Sequence, residues 1–235
     1  MKLKDIQGIL FDYGATIDTN GVHWAEVLWD AYEKVGVPVS KETFREAYVY
    51  GERYLATRPI IGPFDNFLTV LTKKAEIQFS YLTENNRLST QDYDYSTQIS
   101  QICYDEAKRN ISRAIPVLDY LSEKYPMVLV SNFYGNIETV LTDFGLRKYF
   151  KDIVESAVAG VRKPNPEIFR LGVEQLALPA RNVALIGDSY TKDILPGAQA
   201  GCKTIWIKGK AWEKDPESVI VDRIITDFSE LKEIL

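Results

Sequence analysis

Apolar and polar positions divide the chain into three regions with different periods. Residues 6–12 form a short apolar run, typical of a strand buried on both faces, and lead into a turn-rich segment at 13–21. Residues 22–113 repeat apolar positions at helical spacing and contain no alternating run rich in Val and Ile. From residue 115 onwards, short apolar runs alternate with helical segments. The pattern therefore predicts a long helical stretch between two regions that contain strands.

The middle region predicts four helices, which we place at residues 23–36, 40–55, 64–82 and 92–112. The first of these ends at Gly36, a residue typical of helix C-termini. The second begins at Ser40, whose side chain can cap a helix, and Thr43 follows in a weak form of the capping box. The segment "TENNRLST" (83–90) is the predicted loop between the last two helices.

The last region predicts five strands that alternate with helices. The strands are expected at 127–132, 152–157, 182–188, 203–207 and 222–226, and the helices at 136–144, 166–176 and 192–200. This alternation indicates a parallel sheet with helices on both faces, and most of the runs are continuously apolar, as buried parallel strands are. The run at 6–12 matches them. We therefore predict an α/β fold: a Rossmann-like core domain of residues 1–20 and 114–235, with a helical cap domain of residues 21–113 inserted after the first strand.

Composition narrows the class of protein. With 46% hydrophobic and 26% charged residues among 235, the chain resembles ordinary soluble globular proteins and can bury a sizeable core. Its net charge of −5 argues against a nucleic-acid-binding surface. No apolar stretch approaches the ~20 residues of a membrane span. The apolar run near the N-terminus is too short and too interrupted by polar residues for a signal peptide.

The two cysteines indicate a compartment. Cys103 and Cys202 are far apart in sequence, and neither has a Cys or His partner at metal-site spacing. This usage predicts two reduced thiols in a cytoplasmic protein. The sequence carries no signal for an oligomeric state.

Polar residues follow three of the predicted strands, at the point where each strand ends. Asp12, Ser131 and Asp188 occupy these positions. In open parallel sheets, ligands bind beyond the carboxyl ends of the strands. We therefore expect these three side chains to converge at one edge of the sheet.

Four motifs in sequence order extend this set. They are "ILFDYGAT", "MVLVSN", "GVRKPNPEIF" and "ALIGDSYTKD". An apolar strand ends in Asp12 with Thr16 four residues on, a later strand ends in Ser131, Lys163 precedes a proline-containing helix start, and a last strand ends in Asp188. Together, and with the helical insert after the first strand, they resemble the motifs of the haloacid dehalogenase-like hydrolases. The resemblance covers essentially the whole chain.

The resemblance implies a role for each motif residue. Asp12 would be the nucleophile, which attacks phosphorus and forms an aspartyl-phosphate. Thr16 and Ser131 would donate hydrogen bonds to phosphoryl oxygens, and Lys163 would neutralise charge that develops on the transferred group. Asn132 and the amides after Ser131 would add donors and help to bind the substrate.

The same resemblance implies a Mg²⁺ site. Mg²⁺ prefers octahedral oxygen coordination from one or two carboxylates, waters and substrate phosphate. The protein oxygens would come from Asp12, Asp188 and the backbone carbonyl of Gly14. Asp193 could hold a metal-bound water, orient the motif lysine, or simply cap a helix, with Ser189 beside it in support.

One position departs from the family pattern. Family phosphatases usually carry a second Asp two residues after the nucleophile, which protonates the leaving group and later deprotonates the attacking water. This chain has Gly14 there. General acid–base catalysis typically contributes ~10²–10⁴-fold. Asp18 and His23, the only histidine, could substitute, although a lone His beside a Trp also suits packing or capping.

Four interpretations of Gly14 remain open: a phosphatase for good leaving groups or with a substitute acid, carbon–halogen or carbon–phosphorus chemistry, transfer without hydrolysis, and a binding protein without catalysis. In dehalogenases Tyr occupies the position of Gly14, whereas here Tyr13 precedes it. Halide displacement needs no metal, yet "GDSYTKD" keeps the acidic form. A phosphonate-cleaving enzyme would need a cap lysine, and Lys34 and Lys41 have nothing in sequence that marks them.

The favoured hypothesis is a Mg²⁺-dependent phosphatase of a small phosphorylated metabolite, slow on alkyl phosphates and faster on aryl or acyl phosphates. Substrate identity would depend on the predicted cap, whose aromatic residues are expected to form its core. Arg45, Arg53 and Arg58 could contact a second anionic group, or be solvated. The break "TRPIIGPFDN" (57–66) could face the site.

Overall fold

The computed structural model describes residues 2–89, 94–212 and 216–235. Its six strands form one parallel sheet in the order β3-β2-β1-β4-β5-β6. The strands are β1 (Gly8–Phe11), β2 (Met127–Ser131), β3 (Asp152–Glu155), β4 (Val183–Gly187), β5 (Lys203–Ile207) and β6 (Arg223–Ile225). The six predicted strands are confirmed with small shifts at their ends, and the predicted α/β class is confirmed with them.

The sheet is buried on both faces because successive side chains of its central strands enter different cores. Ile9 and Phe11 of β1 belong to a large cluster that continues into the helices between β1 and β2. Leu10 belongs to a second cluster on the other face, with Ile168 and Phe169 of the helix α7 (Glu167–Leu176). Every residue of β1, β2 and β4 is buried. Continuous apolar runs were thus the correct signal for these strands.

Four helices separate β1 from β2, and we call this segment the helical insert (residues 24–122). They are α1 (Trp24–Val35), α2 (Lys41–Thr57), α3 (Phe67–Glu84) and α4 (Tyr95–Ser122). The first three begin at side-chain caps: His23, Ser40 and Asn66 each accept a hydrogen bond from a backbone N–H of the first turn. Within residues 22–89 and 94–113 the structure contains no strand, as predicted.

The last helix of the insert is longer than predicted. Its predicted end at residue 112 is wrong, because the buried face continues through Ala114, Leu118 and Leu121 and the helix accommodates Pro116. Residues 92 and 93 of the predicted helix, and Thr90 of the predicted loop, lie outside the described residues. The predicted division between residues 113 and 114 falls inside α4, and the division into two domains stays a prediction.

Shorter helices follow the later strands. They are α5 (Ile137–Asp143), α6 (Ser156–Ala159), α7, a π-helix (Tyr190–Ile194), α8 (Leu195–Gln199) and α9 (Leu231–Ile234). The predicted helices at 136–144 and 166–176 are confirmed. The predicted helix at 192–200 begins earlier and in another form, because the carbonyl of Ser189 accepts from the N–H groups of both Asp193 and Ile194.

Two composition-based expectations have a structural counterpart. Cys103 and Cys202 are both buried and form no disulfide. None of the helices in the described ranges combines the length and the apolar character that a bilayer crossing requires.

Candidate active site

The register of the sheet brings the three strand-end residues to one edge. Phe11 lies beside Leu129 and Ile186, so Asp12 leaves β1 level with the last residues of β2 and β4. The N–H of Asp12 donates to the carbonyl of Ile186 at 2.9 Å. Asp12, Ser131 and Asp188 all line a cavity of about 610 Å³, a volume typical of small-molecule sites. The predicted convergence is therefore confirmed.

Each carboxylate oxygen of Asp12 has a side-chain donor. Lys163 Nζ lies 2.5 Å from Asp12 Oδ1, and Thr16 Oγ1 donates to Oδ2 at 2.7 Å. The lysine is almost fully buried, with 3% of its side chain exposed. Thr16 was predicted to donate to phosphoryl oxygens, but in the structure it is fully buried and its hydroxyl donates to the Asp12 carboxylate, which it orients. These contacts fix the direction in which Asp12 faces the cavity.

Lys163 is held in place through its backbone by Asn132. The side-chain oxygen of Asn132 accepts from the N–H of Lys163 at 2.9 Å, and its amide nitrogen donates to the carbonyl of Lys163 at 3.1 Å. Asn132 also lines the cavity, and these bonds use one N–H and the oxygen of its side-chain amide. Its predicted role in substrate binding stays a prediction. Asn132 links the end of β2 to the loop that carries the lysine.

A second carboxylate completes the ion pair. Asp193 Oδ1 lies 2.7 Å from Lys163 Nζ, and Asp193 Oδ2 accepts from the N–H of Ser189 at 3.1 Å. Asp193 therefore orients the lysine, one of its three predicted roles. Its predicted role as a helix cap is wrong: Ser189 caps the π-helix by accepting from the N–H of Lys192, and Asp193 lies inside that helix.

The close approach of Asp193 depends on Gly187, the last residue of β4. A Cβ atom at this position would lie 2.5 Å from the Cβ of Asp193, a separation that side chains do not adopt. The glycine directly before Asp188 therefore has a packing reason, which the motif alone did not reveal.

Three carboxylates share this part of the cavity. Oxygens of Asp12, Asp188 and Asp193 lie within 4.8 Å of one another. Burial raises the pKa of Asp12 to about 6; Lys163 opposes this shift and Asp193 adds to it. Burial, followed by the charges of Asp193 and Asp12, raises the pKa of Asp188 well above its ordinary value. This concentration of negative charge and oxygen ligands fits a divalent cation. Gly14, the third predicted ligand, also lines the cavity.

Space is available where the family acid is missing. A Cβ atom at Gly14 would meet Trp24 Cδ1 as its nearest neighbour, at 4.0 Å, and the position borders the cavity. The absence of an acid at this position is thus not imposed by packing.

Both candidate substitutes line the cavity but are engaged in local contacts. Asp18 accepts from the N–H of Ala15 at 2.7 Å and from the indole N–H of Trp24 at 3.0 Å, so both of its oxygens are occupied. Burial raises the pKa of Asp18 to about 8. His23 Nδ1 caps α1 by accepting from the N–H of Ala25 at 3.1 Å, and burial lowers the pKa of His23 to about 4. Their roles in proton transfer stay predictions.

The helical insert supplies the opposite wall of the cavity. The predicted break at 57–66 borders it through Thr57, Arg58, Pro59 and Ile61. The guanidinium of Arg45 lies 4.2 Å from the ring centre of Trp212, and Arg53 borders an adjoining cavity of about 490 Å³. Within the described ranges, neither Lys34 nor Lys41 lines the main cavity.

Two charged residues on this wall, Glu52 and Lys74, were not predicted from the sequence. A signal for Lys74 was present in the sequence. It lies at helical spacing between Val70 and Gln78, on the face of α3 that is buried. A lysine on the apolar face of an amphipathic helix is unusual, because lysine is almost never fully buried without a partner.

Among known proteins, two relatives of this chain are named as a nucleotidase and a phosphatase. The chain is 32% identical over 124 residues to pyrimidine 5'-nucleotidase YjjG of Escherichia coli, covering 52% of this chain and 55% of YjjG, about half of each. It is 24% identical over 249 residues to the glyceraldehyde 3-phosphate phosphatase of Methanothermobacter thermautotrophicus, covering 98% and 100% of the two chains.

Solved structures share the fold over nearly the whole chain. A dehalogenase superposes with a TM-score of 0.66 at 15% identity, covering 99% of this chain and 98% of that one. YfnB of Bacillus subtilis bound to magnesium superposes with a TM-score of 0.59 at 22% identity, covering 97% of each chain. At these identities the likeness shows the fold.

The family model settles the assignment. The model described as haloacid dehalogenase-like hydrolase matches residues 6–201, which include the Asp12 motif, the helical insert and the Asp188 motif. This chain therefore belongs to the haloacid dehalogenase-like hydrolases.

Proposed function

We propose that this protein is a phosphatase that transfers the phosphoryl group of a small phosphorylated metabolite to Asp12 and then to water. The observation that supports this most directly is the pairing of Asp12 with Lys163 at the end of the cavity, 2.5 Å apart. A carboxylate held by a buried cation suits attack on phosphorus. Relatives named as a nucleotidase and as a phosphatase support the same substrate class.

The proposal includes a Mg²⁺ ion. Asp12 and Asp188 with the carbonyl of Gly14 would hold it, and Asp193 completes the acidic cluster. The oxygen donor set fits Mg²⁺, and magnesium is bound in the structural neighbour YfnB. When bound, the ion neutralises charge on the carboxylates and on the phosphoryl oxygens.

In the first step, a carboxylate oxygen of Asp12 forms a bond to phosphorus while the bond to the leaving oxygen breaks. Lys163 neutralises charge on the transferred phosphoryl group, and Ser131, buried at the cavity wall, donates to its oxygens. The leaving oxygen departs with its electron pair and needs a proton. Because position 14 offers none, leaving groups that are stable as anions, such as phenols and carboxylates, should react fastest.

In the second step, water attacks the phosphorus of the aspartyl-phosphate and the Asp12 carboxylate departs. The attacking water must lose a proton, and Gly14 supplies no base. We expect this hydrolysis to limit turnover, so that phosphorylated enzyme accumulates.

The second candidate function is a binding protein without catalysis, which Gly14 favours. Carbon–halogen or carbon–phosphorus hydrolysis is third. Three carboxylates within 4.8 Å of one another favour a cation-dependent reaction, whereas halide displacement needs none.

A rapid-mixing assay with p-nitrophenyl phosphate, with and without Mg²⁺, tests the proposal. The wild type should release nitrophenol in a Mg²⁺-dependent burst, roughly stoichiometric with enzyme, followed by slow turnover. Intact-mass analysis should show one added phosphoryl group. Asp12→Asn should show neither, while Asp105→Asn, at an exposed position on α4, should behave as the wild type.

Either of two results would overturn the proposal. A wild type with neither burst nor turnover would favour the binding protein, or a dehalogenase that chloride release would reveal. A burst that persists in Asp12→Asn would show that another residue is the nucleophile.

A further inference from the structure

Two helices of the insert present an ion pair to the cavity. Glu52 on α2 and Lys74 on α3 lie with Oε1 and Nζ 2.6 Å apart. The lysine side chain is 10% exposed and the glutamate side chain 35% exposed. Both line the cavity that contains Asp12, and Glu52 also borders the adjoining one. The pair thus lies within reach of the same bound molecule as the proposed nucleophile.

The environment of Lys74 sets it apart from an ordinary surface lysine. Its neighbour Lys73 points away from the helix core and pairs with Asp65. Lys74 instead occupies the buried face of α3, between Leu71 and Gln78. Burying an ammonium group costs free energy unless partners compensate for the lost water.

The partners of Lys74 keep it charged. Burial alone would lower the pKa of Lys74, but Glu52, Tyr134 and Tyr48 together raise it above its ordinary value. Both tyrosines also line the cavity. The cavity therefore presents the ammonium of Lys74, the carboxylate of Glu52 and two phenols, of which Tyr134 comes from the segment after β2.

We propose that Lys74 and Glu52 bind hydroxyl groups of the substrate, which makes the substrate a polyhydroxylated phosphate. Where that phosphate is an alkyl ester, turnover is slow because position 14 offers no proton to the leaving oxygen, and the Lys74–Glu52 pair selects the substrate by binding. This inference rests on the proposed phosphatase function. A hydroxyl group both accepts and donates a hydrogen bond, so it can bond Lys74 and Glu52 at once. A carboxylate or second phosphate would be repelled by Glu52, and an amine by Lys74.

Apolar leaving groups are disfavoured by the same wall. An alkyl chain would displace water from both charges without replacing its hydrogen bonds. Sites built to bond a hydroxyl therefore reject the analogue that lacks it more strongly than apolar pockets distinguish methylene groups. Lys74 and Glu52 are thus specificity-determining residues in this proposal.

Matched ligands measure this preference without turnover. Calorimetry on the Asp12→Asn variant with Mg²⁺ would compare glycerol 1-phosphate with n-propyl phosphate, and ribitol 5-phosphate with n-pentyl phosphate. We expect at least one polyol phosphate to bind about tenfold more tightly than its alkyl partner, the size of one hydrogen bond to a charged group. Adding Lys74→Met should bring that ratio close to one.

Two further variants make the result specific. Lys73→Met, the adjacent lysine outside the cavity, should keep the preference of the parent. Glu52→Gln changes a partly exposed side chain without altering its shape, and it should lower the same ratio. It provides the test if Lys74→Met fails to unfold cooperatively in a thermal melt.

Equal affinities within both ligand pairs would overturn the inference, as would a preference that survives both Lys74→Met and Glu52→Gln. These outcomes are distinct from failure of the phosphatase proposal. If the phosphatase proposal is wrong, the wild type should show neither a burst nor turnover with p-nitrophenyl phosphate. This result does not depend on the ratio of the affinities for polyol and alkyl phosphates.

Discussion

The two walls of the cavity are built by different means. At the sheet edge, Asp12, Ser131 and Asp188 are placed by backbone hydrogen bonds between neighbouring strands. On the insert wall, Glu52 and Lys74 are placed by the packing of α2 against α3. Strand register leaves little freedom at the first wall, whereas side chains on packed helices can change with modest adjustment. The comparison suggests that the sheet edge provides the chemistry and the insert provides the selection.

Among the substitutions that test this comparison, Lys163→Met at the sheet edge should change activity most. Removing the cation leaves Asp12 and Asp193 facing each other without compensation, and we expect kcat/KM for p-nitrophenyl phosphate to fall about 10³-fold. Loss of one partner from a buried ion pair should also destabilise the fold by ~3 kcal/mol, visible in denaturant unfolding. The control is Lys151→Met. Lys151 is exposed and directly precedes the first residue of β3, at the edge of the sheet opposite the cavity. Activity that survives Lys163→Met would contradict the assignment of chemistry to this wall.

A gain-of-function substitution tests the sheet edge in the opposite direction. Gly14→Asp places an acid at a position where the nearest neighbour of an added Cβ atom, Trp24 Cδ1, is 4.0 Å away. We expect hydrolysis of alkyl phosphates to rise roughly 10²-fold. The burst should disappear because the second step no longer limits turnover. Gly14→Asn has nearly the same shape but cannot transfer the proton, so it should give no acceleration. Equal rates for the two variants would show that the missing acid does not limit this enzyme.

The smallest effect concerns His23, which lies where the two walls meet and contacts Tyr48 of the insert and Trp212. Its pKa is about 4 in the folded protein, against an ordinary value of 6.5, because burial disfavours the charged ring. Below pH 6.5 the unfolded chain therefore binds a proton that the folded protein does not. This contribution to stability is complete above pH 6.5 and lost as pH falls towards 4.

We expect His23 to account for about 2 kcal/mol of lost unfolding free energy between pH 7 and pH 5. Protonation would also remove the cap of α1, since Nδ1 accepts from Ala25. His23→Asn keeps a good N-cap that does not titrate, so denaturant unfolding of this variant should depend less on pH. Charged neighbours such as Lys192 and Glu52 remain in both proteins. Identical pH dependence would contradict the prediction.

The sequence predicted one wall far better than the other. Strand ends could be located because short apolar runs stop at Asp12, Ser131 and Asp188, and parallel strands end at the same edge. The bonds of Asn132 to Lys163 could not be predicted, since they join loops that are distant in sequence. The π-helix that carries Asp193 also left no periodic signal.

The pair on the insert wall shows a different limit. Periodicity could place Lys74 on the buried face of its helix. Its partner Glu52 depends on how α2 packs on α3, and helix packing is a tertiary property that a single helical pattern does not specify. The end of α4 was missed for a related reason, because its last turns are held by the buried residues Ala114, Leu118 and Leu121, whose contacts are tertiary.

Gly187 restricts where the protein can accept substitutions during evolution. Any side chain there would collide with Asp193, only 2.5 Å from the Cβ position. In a library randomised across the cavity, glycine should be recovered at 187 under selection for any substrate, while positions 52 and 74 diversify. New specificities would then arise on the insert helices, and the edge of the sheet would be inherited unchanged.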